Sequence, residues 1–156
     1  MTAPKSRLLV IDTSIICSAS ETEHAVSSAC RKALKAVLDI CHRVALTDPI
    51  GEEWRTHTGR YARKWRLSME GRKKVKRIVN PRPVTIDMRG LPDDDRQAIE
   101  KDLCLIEAAL SADGMIVTRD ETLRRILDKT PKGRKIAASI TWINPVTDGI
   151  EVFERL

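Results

Sequence analysis

Four short apolar runs constrain this chain more than any other feature. RLLVI (7–11), RVALT (43–47), GMIVT (114–118) and SITWI (139–143) are dominated by aliphatic side chains and bounded by polar or turn-forming residues. Runs of this kind suit strands buried on both faces, which occur in parallel sheets covered by helices. Between them the apolar residues recur three and four apart. Val26, Ala29, Cys30, Ala33, Leu34, Val37, Ile40 and Cys41 predict an amphipathic helix over 22–41. Asp48 followed by Pro49 has the form of an N-cap with proline at the first helical position, opening a helix over 49–68. Asp94 and Gln97 stand at capping-box spacing ahead of a third helix through 96–112. A short fourth spans 121–128. Strands alternating with helices predict an α/β fold with a mostly parallel sheet.

The remaining stretches are less regular. GRKKVKR (71–77) extends the 49–68 helix or starts another. NPRPVTID (80–87) is loop with a short strand at Val84–Ile86. PKGR (131–134) breaks the fourth helix, Asn144-Pro145 stops the last strand, and the tail GIEVFERL suits an edge strand. With no repeat or linker, residues 1–156 are expected to form one domain. No apolar run approaches the roughly 18–20 residues of a membrane span, and MTAPKSRLLVID is too short in its apolar part for a signal sequence. A cytoplasmic protein with no membrane partner is expected. Cys17, Cys30, Cys41 and Cys104 form no C-x-x-C pair and have no His at zinc spacing, so buried free thiols are expected.

The net charge of +6 is concentrated. Residues 55–77 hold ten Lys/Arg against Glu70 alone, a balance of +9 that leaves −3 for the rest of the chain. A basic helical region on a mildly acidic body predicts a polyanionic partner, with Arg60, Lys64, Arg72, Lys73, Lys74, Lys76 and Arg77 as nucleic-acid contacts. Trp54, Tyr61 and Trp65 are candidates for stacking on bases, although their helical spacing favours core packing.

One carboxylate is out of place. Winding 96–112 at about 100° per residue gathers Leu105, Ala98, Ala109, Ile106, Ile99, Leu110 and Leu103 on one arc, and Asp102 falls inside it. No Lys or Arg shares that arc, and an unpaired charge on a packed face is costly. The runs LLVI and MIVT lead into Asp12 and Asp120 at the carboxyl edge of the sheet, where open parallel sheets bind ligands. Singly, each has an ordinary structural role: Asp12 in a turn, Asp120 in a helix start with Thr118 and Glu121 as a capping box. The 49–68 helix adds Glu53, at the border of its apolar stripe beside His57, whereas Glu52 points toward Arg55, Arg63 and Arg66. Several carboxylates in one cleft repel, and a hard divalent cation resolves the conflict.

In this arrangement the chain resembles the PIN domain, a family of nuclease domains of about this length. The resemblance rests on LLVIDTS, a helical acid near residue 50, and KDLCLIEAALSADGMIVTRD. It implies a three-layer α/β/α sandwich with a central parallel sheet. It also implies a Mg²⁺- or Mn²⁺-dependent ribonuclease with one or two ions held by Asp12, Glu53, Asp102 and Asp120, which are then both metal ligands and catalytic residues. Thr13, Ser14 and Thr118 match small hydroxyl positions that support the acids. The pronounced basic stretch and the ending beyond TWINP depart from minimal members. Small bacterial members are often toxins similar to the virulence-associated protein C group, which implies an antitoxin protein and a homodimer as partners beside RNA. Two other classes fit part of the pattern. One is a catalytically inert PIN-like module that binds RNA or protein. The other is a phosphatase with a strand-end Asp, whose usual second Asp is Ser14 here.

Overall fold

The computed structural model describes residues 5–156; the first four residues of the stretch read for a signal sequence lie outside them. At its centre is strand β1 (Leu8–Ile11), buried at every residue. Strands β2 (Arg43–Leu46) and β4 (Met115–Val117) flank it, and β3 (Val75–Arg77) and β5 (Thr141–Ile143) form the edges. The order is β3-β2-β1-β4-β5, and all pairings are parallel.

Right-handed crossovers assign the helices to layers. Helix α2 (Ala25–Asp39) joins β1 to β2, and α4 (Arg60–Gly71) lies between β2 and β3. Both connections step the same way across the sheet, so the two helices share a face and pack together. Helix α5 (Asp93–Leu110) steps back from β3 to β4, covers the other face, and contacts β1, β2 and β4. Helices α6 (Thr122–Leu127) and α7 (Pro131–Ala138) continue on the α5 side. Helices α1 (Thr13–Ser18) and α3 (Asp48–His57) follow β1 and β2 directly at the carboxyl edge and contact each other. A short α8 (Pro145–Asp148) and a 3-10 turn at Ile150–Glu154 pack on α2. The fold is a three-layer α/β/α sandwich. No helix among the described residues is long and apolar enough to cross a membrane.

Several local expectations are corrected. The helix over 49–68 is two helices, because Thr58 and Gly59 are extended (φ −82°, ψ 125° and φ −87°, ψ −178°). The basic stretch does not stay helical to residue 77. The chain turns at Lys73 (φ 59°) and enters edge strand β3. Val84–Ile86 forms no strand, and the tail is helical turn rather than edge strand. Pro92 is the N-cap of α5, without a side-chain cap, so the Asp94–Gln97 box does not form. Helix α7 starts at PKGR, where the Thr130 hydroxyl accepts from the Gly133 N–H and Pro131 opens the helix. All four cysteines are free, but only Cys30 is buried. Cys41 does not continue the apolar stripe of α2, since it sits at φ 72° just past the helix end and is exposed.

Buried donors key the layers together. Trp54 and Trp65 are 1% and 4% exposed, with ring centroids 5.8 Å apart. The indole N–H of Trp54 donates to Ile11 O at 3.0 Å, and that of Trp65 to Leu34 O at 2.7 Å. Both are core residues, which removes them as base-stacking platforms; Tyr61 is half-buried, and its hydroxyl reaches Arg31 O. His42, fully buried, joins both chain ends. Its Nδ1 accepts from the Arg7 N–H at 3.0 Å, which leaves the proton on Nε2 to donate to Phe153 O at 2.7 Å. We predict that His42→Ala lowers stability by about 2–4 kcal/mol in urea denaturation, by leaving a cavity and two unpaired backbone groups. A loss within experimental error would show that the ring carries no such link.

Candidate functional site

The strand order reverses between β1 and β4, and in an open parallel sheet a crevice forms outside the carboxyl ends of such a pair. Asp12 stands directly after β1. Its N–H extends the ladder to Val117 O at 2.9 Å, so the backbone here is held as firmly as the strand. Its Oδ2 accepts from the Ser14 hydroxyl at 2.8 Å and the Thr118 hydroxyl at 2.7 Å. Thr118, itself buried, accepts from the Asp120 N–H at 3.0 Å through the same hydroxyl oxygen. One side chain after β4 therefore positions both aspartates. The capping box expected from Thr118 and Glu121 is absent, because α6 starts only at Thr122.

Glu53 arrives on α3, which the Trp54 bond ties to the last carbonyl of β1. The Thr13 hydroxyl donates to Glu53 Oε2 at 2.9 Å. Glu52, one residue earlier, is exposed and pairs with Arg55 at 2.8 Å. The projection that separated the two acids is thereby realised. Asp102 comes from α5, half-buried, and has neither hydrogen-bond nor salt-bridge partner for its carboxylate among the described residues. Burial pushes its pKa up to about 6, aided by the charge of Asp12 and then by Glu53 and Asp120, against an opposing pull from Lys101. Asp120 behaves oppositely. Hydrogen bonding from Thr122 holds it below the usual carboxylate range, and the Thr122 N–H lies 2.9 Å from its Oδ1.

All four acids line one cleft of about 260 Å³, with Thr13 and Ser14. Cys17, His57 and Lys101 complete its wall. Lys101 and Cys17 were missed from the sequence. Lys101 neighbours Asp102, and Cys17 stands four residues after Thr13, on the same face of a helix that the apolar pattern did not announce. Cys104, next to the cleft, is pushed up to about 11 by burial and then by Glu53 and Asp102, so its thiol stays protonated at neutral pH.

The basic residues divide. Helix α4 runs back against the strand direction, so Arg60 and Lys64 lie toward its start near His57. Arg72, Lys73 and Lys74 lie beyond its end, where Lys74 O accepts from the Val44 N–H near the amino end of β2. The depth of the sheet separates that trio from the acids. Lys76 and Arg77 are exposed on β3.

Among the described residues, no three His, Cys, Asp or Glu groups are drawn into a ready-made metal cage. Mg²⁺ does not need one, since it keeps several waters and commonly takes one or two carboxylates. Asp12 Oδ1, Glu53 Oε1, Asp120 Oδ2 and both Asp102 oxygens accept no hydrogen bond among the described residues, and every donor in this set is a hard oxygen. These residues fit a Mg²⁺ or Mn²⁺ ion. Comparison with protein-family models, curated proteins and solved structures finds no match to this chain.

The raised pKa of Asp102 has a definite sign in stability. The unfolded chain releases this proton near pH 4 and the folded chain near 6, so the folded state binds more protons between them and loses stability as pH rises. Asp102→Asn should therefore stabilise the metal-free protein at pH 7.5 by about 1 kcal/mol, allowing for partial solvent access, and should have no such effect at pH 4. Thermal unfolding in EDTA at both pH values checks this. Destabilisation at pH 7.5 would mark Asp102 as a structural residue.

Proposed function

We propose that this chain is a PIN-like, Mg²⁺- or Mn²⁺-dependent endoribonuclease that hydrolyses RNA phosphodiester bonds. One observation carries the reading: acids from four separate segments, Asp12, Glu53, Asp102 and Asp120, meet in one cleft at the reversal of strand order. A fold gains nothing in stability from gathering like charges around a half-buried, unpaired carboxylate. Such a cluster makes physical sense when a cation is its ligand.

Asp12, Asp102, Asp120 and Glu53 would hold the ion. When bound, it supplies Lewis-acid stabilisation of the phosphoryl charge and activation of a water nucleophile. The chain's own groups do the positioning. Ser14 and Thr118 fix one oxygen of Asp12 and leave the other without a hydrogen bond, Thr13 does the same for Glu53, and the unpaired carboxylate of Asp102 would be available to the ion. Lys101 is a fixed positive charge on the wall, suited to a phosphate oxygen. RNA, rather than a small phosphoester, is favoured by the strong basic excess. An antitoxin partner or a homodimer would follow from the toxin-like branch of the resemblance.

A second reading rests on the exposed basic residues Arg60, Lys64, Lys76 and Arg77, which can hold RNA without any chemistry at the acids. In it the chain is an inert PIN-like module that binds RNA without cutting. Structured RNA and a generic phosphomonoester, each with Mn²⁺ or EDTA, separate the readings. We expect RNA cleavage with Mn²⁺ that stops in EDTA and falls at least ~10²-fold in Asp102→Asn. Cleavage that survives both would falsify the metal-site reading. Binding without turnover supports the inert module, and phosphate release from the monoester alone supports a phosphatase.

A further inference from the structure

Two further cavities open along the same sheet edge. A recess of about 90 Å³ lies between Thr118, Asp120, Arg124, Trp142, Asn144 and Asp148. It shares Asp120 with the acidic cleft. Beyond it is an open trough of about 560 Å³ bordered by Arg119, Arg124, Arg125, Glu121, Asp128 and Asn144. Recess and trough share Arg124, Glu121 and Asn144. Cleft, recess and trough therefore lie side by side along the carboxyl ends of β4 and β5.

The chemistry of the walls changes along this edge. Arg119, Arg124 and Arg125 are exposed and enter no salt bridge among the described residues, although Glu121 and Asp128 border the same trough. Unpaired guanidinium forks match phosphate oxygens. Trp142 is half-buried in the recess, with its indole N–H donated to Ala137 O at 3.0 Å. Its hydrogen bond is already used, so what it offers a ligand is ring surface. A phosphate track beside an aromatic ring is the arrangement that binds single strands.

We propose that this edge holds the single-stranded RNA flanking the cleaved bond, with its phosphates on Arg119, Arg124 and Arg125 and the edge of one unstacked base at the mouth of the recess beside Trp142. The proposal rests on the nuclease reading for its place beside the reaction. The binding itself does not depend on cutting. It also moves the main contact surface away from Arg72, Lys73 and Lys74, which lie at the other edge of the sheet.

Fluorescence anisotropy of a labelled single-stranded RNA in EDTA tests it on the uncut substrate. Arg124→Ala/Arg125→Ala should weaken binding about tenfold. It should also reduce the slope of log K against log salt by about 1.4, the loss of two phosphate contacts at ~0.7 each. Arg72→Ala/Lys73→Ala/Lys74→Ala should change both much less. Unchanged affinity and slope in the arginine variant, with its melting curve intact, overturns the proposal, as does a loss confined to the triple variant. Mn²⁺-dependent hydrolysis of bis(p-nitrophenyl) phosphate by the wild-type protein decides the nuclease reading separately. If that fails while the arginine variant still loses RNA binding, the binding edge stands and the chemistry falls.

Discussion

A strand buried on both faces carries no charge along its length, and this condition on β1 organises the rest of the molecule. Leu8, Leu9, Val10 and Ile11 fill the centre of the sheet, and the first ionisable side chain follows at Asp12. There the helical layers no longer cover the strand, and the neighbouring connections leave on opposite faces. The charge is thus delivered to the point where the topology opens a crevice. The Ser14 and Thr118 hydroxyls then join β1 to the end of β4 through that one carboxylate. Fold and candidate site meet in a few polar contacts at the rim of an aliphatic core.

Two of the four acids sit in opposite environments. Asp120 is exposed and held ionised by its local turn, while Asp102 lies deeper and resists ionisation. Burial lifts the pKa of the latter and a local hydrogen bond lowers that of the former, with the neighbouring charges adding to the rise at Asp102.

The layer architecture was legible because it depends on periodicity, which short buried strands and amphipathic helices write plainly into a sequence. Asp102 was legible for the same reason, as a violation of its own helix's pattern, and the angle around α3 favoured Glu53 over Glu52 for the cleft without deciding between them. The errors fall where a single backbone angle overrides pattern. Lys73 takes a left-handed conformation without being glycine, and Thr58 and Gly59 interrupt a stripe that otherwise continues. Helix α1 was invisible because six residues are too few to establish a period. The arginines of the trough were passed over because charge was weighed by density along the chain. Arg119, Arg124 and Arg125 are sparse in sequence and become neighbours through the turn from β4 into α6.

The interruption at Thr58 and Gly59 bears on how such a chain can change. Trp54 faces inward to Ile11 while Glu53, about 100° around the helix, faces the cleft. A residue added ahead of them within α3 would swing the acid away by more than a quarter turn and pull the indole from its carbonyl. A residue added at the break would alter neither, because the helical phase is reset there. The junction between α3 and α4 is therefore a length-tolerant joint, where insertions could reshape the flank of the cleft while its acids keep their angular register.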